Sequence, residues 1–99
     1  MLFRSRRLAT SSVTPDGEID AILGHPTVFA KGYMLNSTRN NYGGPDGYGH
    51  DGAGGSVACA VPSRGLAISY VMNTMLTTYD GDPRCESYVN AAVRCAESA

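Results

Sequence analysis

Hydrophobic and polar positions change period along this 99-residue chain, and each change marks an element. Residues 66–72 (LAISYVM) alternate with period two. Leu66, Ile68, Tyr70 and Met72 take one face of a strand, and Ala67, Ser69 and Val71 take the other. Apolar groups lie on both faces, so this strand is expected to be covered on both sides. Residues 56–61 (SVACAV) alternate in the same way. Only Pro62-Ser63-Arg64-Gly65 separates the two runs, which makes them an antiparallel hairpin. The period then lengthens. Cys85, Val89, Ala92, Val93 and Ala96 follow at steps of 4, 3, 1 and 3, one face of a helix with small side chains. Asp82 suits the cap of that helix and Pro83 its first turn. Arg84, Asn90, Arg94 and Glu97 fall on its solvent side.

The front half is less periodic. Residues 2–10 fit a short helix with Arg4, Arg6 and Arg7 towards solvent. Thr14-Pro15-Asp16-Gly17 is a turn signal, and residues 19–26 read as a loop. Residues 27–35 (TVFAKGYML) are rich in β-branched and aromatic side chains and predict one strand. Residues 36–46 form a polar loop. Residues 47–52 (GYGHDG) make a strand only if a neighbour holds them. There is no internal repeat. The fold class is α+β: a partial antiparallel sheet of about three to four strands with a C-terminal helix on one face. One helix cannot cover both faces, so the other is left as an apolar surface that suits a protein partner.

Composition excludes more than it selects. Net charge is −1 and 42% of residues are hydrophobic, which gives no electrostatic case for nucleic acid or anionic membrane. No apolar run approaches the roughly 20 residues of a membrane span. Cys59, Cys85 and Cys95 are odd in number and contain no C-x-x-C pair. They are expected to be buried or half-buried free thiols in a reducing compartment. That favours a cytoplasmic location. The start of the chain, Arg- and Ser-rich with no acid before Asp16, carries mitochondrial import as the alternative. Asn36-Ser37-Thr38 spells a glycosylation acceptor, but no secretory signal accompanies it.

Any chemistry sits in residues 47–56 (GYGHDGAGGS). Gly47, Gly49 and Gly52 spell G-x-G-x-x-G, but a strand follows where a phosphate site needs a helix N-terminus. His50 and Asp51, with His25, could suggest a metal, yet adjacent strand residues point to opposite faces. Neither cofactor nor metal is implied. The third reading is the active-site edge of a serine hydrolase. Glycine lets a substrate carbonyl come close to the backbone, and a free N–H there can donate to an oxyanion.

The ordered set of segments supports that third reading. His50-Asp51-Gly52 matches an H-x-G motif, followed by Ala53-Gly54-Gly55-Ser56, then Pro62-Ser63-Arg64-Gly65-Leu66 and Tyr70-Val71-Met72-Asn73. Together they resemble the C-terminal part of the beta-lactamase-related serine hydrolases. That family includes class C beta-lactamases, penicillin-binding DD-peptidases and related esterases. Residues 29–35 resemble the strand before the motif, and Asp82-Pro83-Arg84 the start of the closing helix. The resemblance covers residues 20–98 roughly and implies the beta-lactamase/transpeptidase-like fold. It divides the chain into 1–18, a helix-and-turn segment free to be disordered, and 19–99, a C-terminal fragment of the domain. It gives His50 the basic or polar position of the third motif. Gly52 keeps the strand open for substrate, and the Ala53 N–H is the second oxyanion donor.

Two departures stand beside this resemblance. No serine is followed three residues on by lysine, so the nucleophile motif S-x-x-K is absent; the only lysine is Lys31. Tyr88-Val89-Asn90 spells the second motif, Y-x-N, but follows the third instead of preceding it. It reads as chance within the last helix. Without nucleophile and base, acyl transfer has no first step. The expectation is therefore a serine hydrolase fragment, acting in its full-length parent on a small ester or amide and inactive alone. The rival reading is a non-catalytic β-rich module that binds a protein through its exposed sheet.

Overall fold

The computed structural model describes residues 2–76 and 82–98. Its elements are α1 (Leu2–Ala9), β1 (Met34–Leu35), β2 (Tyr48–Asp51), β3 (Val57–Val61), β4 (Leu66–Tyr70) and α2 (Pro83–Ser98). The strands form one antiparallel sheet in the order β1-β2-β3-β4.

Alternation dictates the hairpin. Val57 lies opposite Tyr70, Cys59 opposite Ile68 and Val61 opposite Leu66. The turn tightens into a 3-10 turn at Pro62–Arg64, closed by Gly65 at φ 58°. Asp46 fixes this turn from the preceding loop, accepting the Ser63 N–H at 2.7 Å and the Ser63 hydroxyl at 2.9 Å.

The register also sorts the two faces. Met34, Gly49, Cys59 and Ile68 line up on the face beneath α2. There Met34, Cys59 and Ile68 form a core with Tyr42, Val57 and Val89. Tyr48, His50, Ala58, Ala60, Ala67 and Ser69 occupy the other face by strand alternation. Gly49 is required where β2 crosses β3: a Cβ there would run into the Ala58 carbonyl oxygen and come within 2.7 Å of the Cys59 Cα.

Four sequence expectations change. Residues 27–35 are not one strand. The chain reverses at Lys31-Gly32, with Gly32 at φ 92°, so that Phe29 bridges to Met34 and the Ala30 N–H reaches the Tyr33 carbonyl at 2.8 Å. Glycine at positive φ ended a run otherwise rich in β-branched and aromatic side chains. β4 is not covered on both sides. Ala67, Ser69 and Val71 are exposed: α2 covers the other face of the sheet, and the Phe29 and Tyr33 rings on this face lie over β2, against His50 and Tyr48. Cys95 is exposed, while Cys59 is buried and Cys85 half-buried. Arg84, expected in solvent, is half-buried and bonded on several sides, as described below.

Helix α2 otherwise follows its pattern. Val89 is fully buried, with Cys85 and Ala92 packed beside it. On the outer side Glu97 meets Arg64 at 2.7 Å. No helix among the described residues is long and apolar enough to cross a membrane.

Candidate active site

β1 is only two residues long, and it ends opposite Gly49. The His50–Asp51 half of β2 therefore has β3 on one side and, among the described residues, no strand on the other. His50 is exposed on the sheet face away from α2. Its Nδ1 lies 2.6 Å from the Asp51 carbonyl oxygen. A carbonyl oxygen only accepts, so Nδ1 carries the hydrogen, and Nε2 takes no part in this bond. The Phe29 ring lies 6.3 Å from the imidazole, tilted against it.

Asp51 turns the other way. Its Oδ1 accepts the Tyr42 hydroxyl hydrogen at 2.7 Å. Tyr42 is 1% exposed. Burial, and then the bond to Asp51, push its phenol well above the usual tyrosine range. His50 and Asp51 thus serve opposite faces, as strand alternation requires, and do not converge on a common ion. Among the described residues no group of three or more His, Cys, Asp or Glu is placed to hold a metal.

Beyond Asp51 the chain folds into a tight glycine turn. The Gly52 N–H donates to the Ser56 carbonyl at 2.8 Å, and the Gly55 N–H donates back to Gly52 at 3.2 Å. Ala53 sits exposed at the tip between them. Among the described residues its N–H has no acceptor. A Cβ on Gly52 would come within 2.6 Å of the Ser56 hydroxyl. His50, Gly52 and Ala53 are thus neighbours on one strand end and turn. A cavity of about 210 Å³ near the front loop is lined by Thr14, Glu18, Asp20 and Phe29 and by none of these three.

Two contributors went unnoticed in the sequence. Tyr42 looked like one residue of a polar loop. Asp82 read as a helix cap alone, yet it is 8% exposed and pairs with Arg84 at 2.6 Å. The hydrogen bonds from Arg84 hold Asp82's carboxyl below the usual carboxylate range.

A sequence model of the beta-lactamase family matches residues 4–89. This chain belongs to that family. Its structure superposes on the crystal structure of a family VIII carboxylesterase with a TM-score of 0.80 and 31% sequence identity. That match takes in 93% of this chain and 24% of the esterase, so the chain spans about a quarter of that protein's length. A search of curated protein sequences finds no match.

The sheet and closing helix are thus a piece of a beta-lactamase-like α+β fold. Within that fold Tyr88-Val89-Asn90 lies on α2, across the sheet from His50. Tyr88 packs its ring 5.5 Å from Tyr70, and Asn90 accepts a hydrogen bond from Asn41 at 2.7 Å. These are packing and loop contacts on the far side of the sheet.

Proposed function

We propose that this chain is the sheet portion of a beta-lactamase-family serine hydrolase that cleaves a small ester by an acyl-enzyme route, and that it is inactive by itself. The single observation that carries the reading is the exposed residue Ala53, whose N–H has no acceptor among the described residues, in a turn beside His50 at the open end of β2.

The chemistry follows from that geometry. As a nucleophile attacks an ester carbonyl, negative charge gathers on the oxygen. A fixed N–H aimed at that oxygen is worth roughly 3–4 kcal/mol at the transition state. Ala53 supplies this donor. Gly52 keeps side-chain bulk away from the approach. His50 offers Nε2 to a substrate hydroxyl or to the phenol of a tyrosine base. The free edge at Asp51 accommodates an extended substrate beside β2. Nucleophile and base come from a segment bearing S-x-x-K, because this chain contains none. Likeness to a carboxylesterase favours an ester over an amide or lactam.

Full-length transcript sequencing with intact-mass detection of the native product tests the reading, together with assays on chromogenic short-chain esters and a chromogenic lactam. The expected result is a longer product that carries S-x-x-K and hydrolyses esters, while the 99-residue chain does not. A native product of 99 residues with no S-x-x-K partner would overturn it, and would turn attention to the exposed sheet face as a protein-binding surface.

A further inference from the structure

Arg84 stands at the front of α2, yet its contacts reach back to the glycine turn. Its Nη2 donates to the Gly54 carbonyl at 3.3 Å and its Nη1 to the Thr74 carbonyl at 2.8 Å. Asp82 fixes the guanidinium from the other side, accepting from Nε at 3.0 Å and from Nη2 at 2.6 Å. It also accepts the Arg84 main-chain N–H at 2.9 Å. The Gly54 carbonyl takes a second hydrogen, from Leu76 N–H at 3.1 Å. Gly55 leaves the room this needs: a Cβ there would collide with Asp82 Oδ2 and lie 3.2 Å from Arg84 Nη2.

Three stretches of chain therefore meet on one planar cation: the turn after the H-x-G motif, the segment after β4, and the start of α2. A guanidinium can do this because its five N–H groups lie in a fixed fork, whereas an ammonium is a compact point donor. A helix cap needs only Asp82. The reach to Gly54, thirty residues back in the chain, is more than capping requires.

We propose that Arg84, braced by Asp82, is a positioning residue for the turn that presents the Ala53 N–H, an inference that rests on the oxyanion role given to Ala53 above. The Gly54 carbonyl belongs to the Gly54–Gly55 peptide, two peptide units beyond the one that carries the Ala53 N–H, so Arg84 anchors the far end of the turn while the Gly52 N–H bond to the Ser56 carbonyl anchors the near end. An oxyanion donor acts through preorganisation, and a turn this rich in glycine has little stiffness of its own. Arg84 touches no reacting atom; it acts through the turn.

The test is amide NMR and hydrogen exchange on the 99-residue chain, comparing wild type with Arg84→Lys, Arg84→Ala and Asp82→Asn. The expected result is that the Ala53, Gly54 and Gly55 amide signals shift and that Leu76 N–H loses protection about tenfold. Signals of β3 and the β4 core stay in place. Added guanidinium ions return the turn signals of Arg84→Ala towards their wild-type positions, which a general loss of packing would not allow. Unmoved turn signals in all three variants would overturn the proposal. So would sheet-wide loss of signal dispersion in Arg84→Lys, since Arg84 would then hold the fold and not the turn. This readout involves no catalysis. If the turn depends on Arg84 but the native hydrolase keeps its full rate when Ala53 is altered, the oxyanion reading fails and the hold of Arg84 on the turn survives.

Discussion

The Tyr42 hydroxyl and the Asp51 carboxylate meet at 2.7 Å beneath the sheet, while the neighbouring residue of Asp51, His50, faces the side away from α2. This bond ties the loop before β2 to the strand end that carries the candidate site. Tyr42→Phe removes the donor and leaves the ring in place. Asp51 is partly exposed, so water replaces some of what is lost. A destabilisation of about 1 kcal/mol is expected, read as a lower urea midpoint with an unchanged slope.

Alkali should weaken the fold through three groups, the thiols of Cys59 and Cys85 and the phenol of Tyr42; burial pushes the Cys59 thiol up. Burial pushes the Cys85 thiol up to about 11, and pushes the Tyr42 phenol above its ordinary range. A raised folded value means that the protonated form is favoured in the folded state. The contribution of Cys85 is therefore complete below the unfolded thiol value of about 8.5 and is lost as pH rises towards 11; that of Tyr42 begins to fall above about 10. Unfolding midpoints measured from pH 7 to 11 should decline across that window. The decline should be shallower in Cys85→Ser combined with Tyr42→Phe.

Acid should act on Asp82. Arg84 holds its carboxyl low, so the stability from this pair is present above the unfolded aspartate value of about 3.9 and is lost as pH falls through the lower folded value. Asp82→Asn should remove that part of the acid dependence. Chemical shifts of the Asp82 carboxyl carbon against pH give the direct measurement.

Gly49→Ala is expected to be the most damaging single methyl in the sheet. The added carbon meets the Ala58 carbonyl and the Cys59 backbone, neither of which can rotate away as a side-chain tip could. A loss of at least about 1–3 kcal/mol is expected, with β2 separating from β3. Loss of exchange protection at Tyr48 and His50 would report it. Unaltered protection would contradict the close crossing.

In a native hydrolase that includes this chain, replacing the Ala53 peptide N–H by an ester oxygen through semisynthesis should lower kcat by about 10²–10³ with little change in KM. His50→Ala should cost about tenfold. Thiol reactivity gives a simpler check on the fold itself: iodoacetamide should label the exposed Cys95 first, followed by Cys85 and then Cys59.

Much of this was legible in the sequence, and the rest failed for identifiable reasons. The β3–β4 hairpin could be read because alternation and a Pro-Ser-Arg-Gly turn are local signals of the same thing. The closing helix could be read because its apolar period and Asp82-Pro83 agree. Residues 27–35 misled because β-branched and aromatic side chains outweighed one Lys31-Gly32 step. H-x-G placed His50, Gly52 and Ala53 on adjacent positions, which the chain itself guarantees. Arg84 could not be placed: its bond to Gly54 joins residues thirty apart, and helical periodicity sent it to solvent. Tyr42 was hidden in the same way, since its partner Asp51 depends on how the loop closes under the sheet.

The shortness of β1 has a cost as well as a use. An unpaired strand end invites any extended chain of suitable length, including the same strand of a second molecule. The opening that would admit a substrate also makes the isolated polypeptide prone to sticking edge to edge. Its solubility should fall steeply with concentration, and a short peptide that caps the His50–Asp51 edge should act at once as a solubiliser and as a competitor for the site.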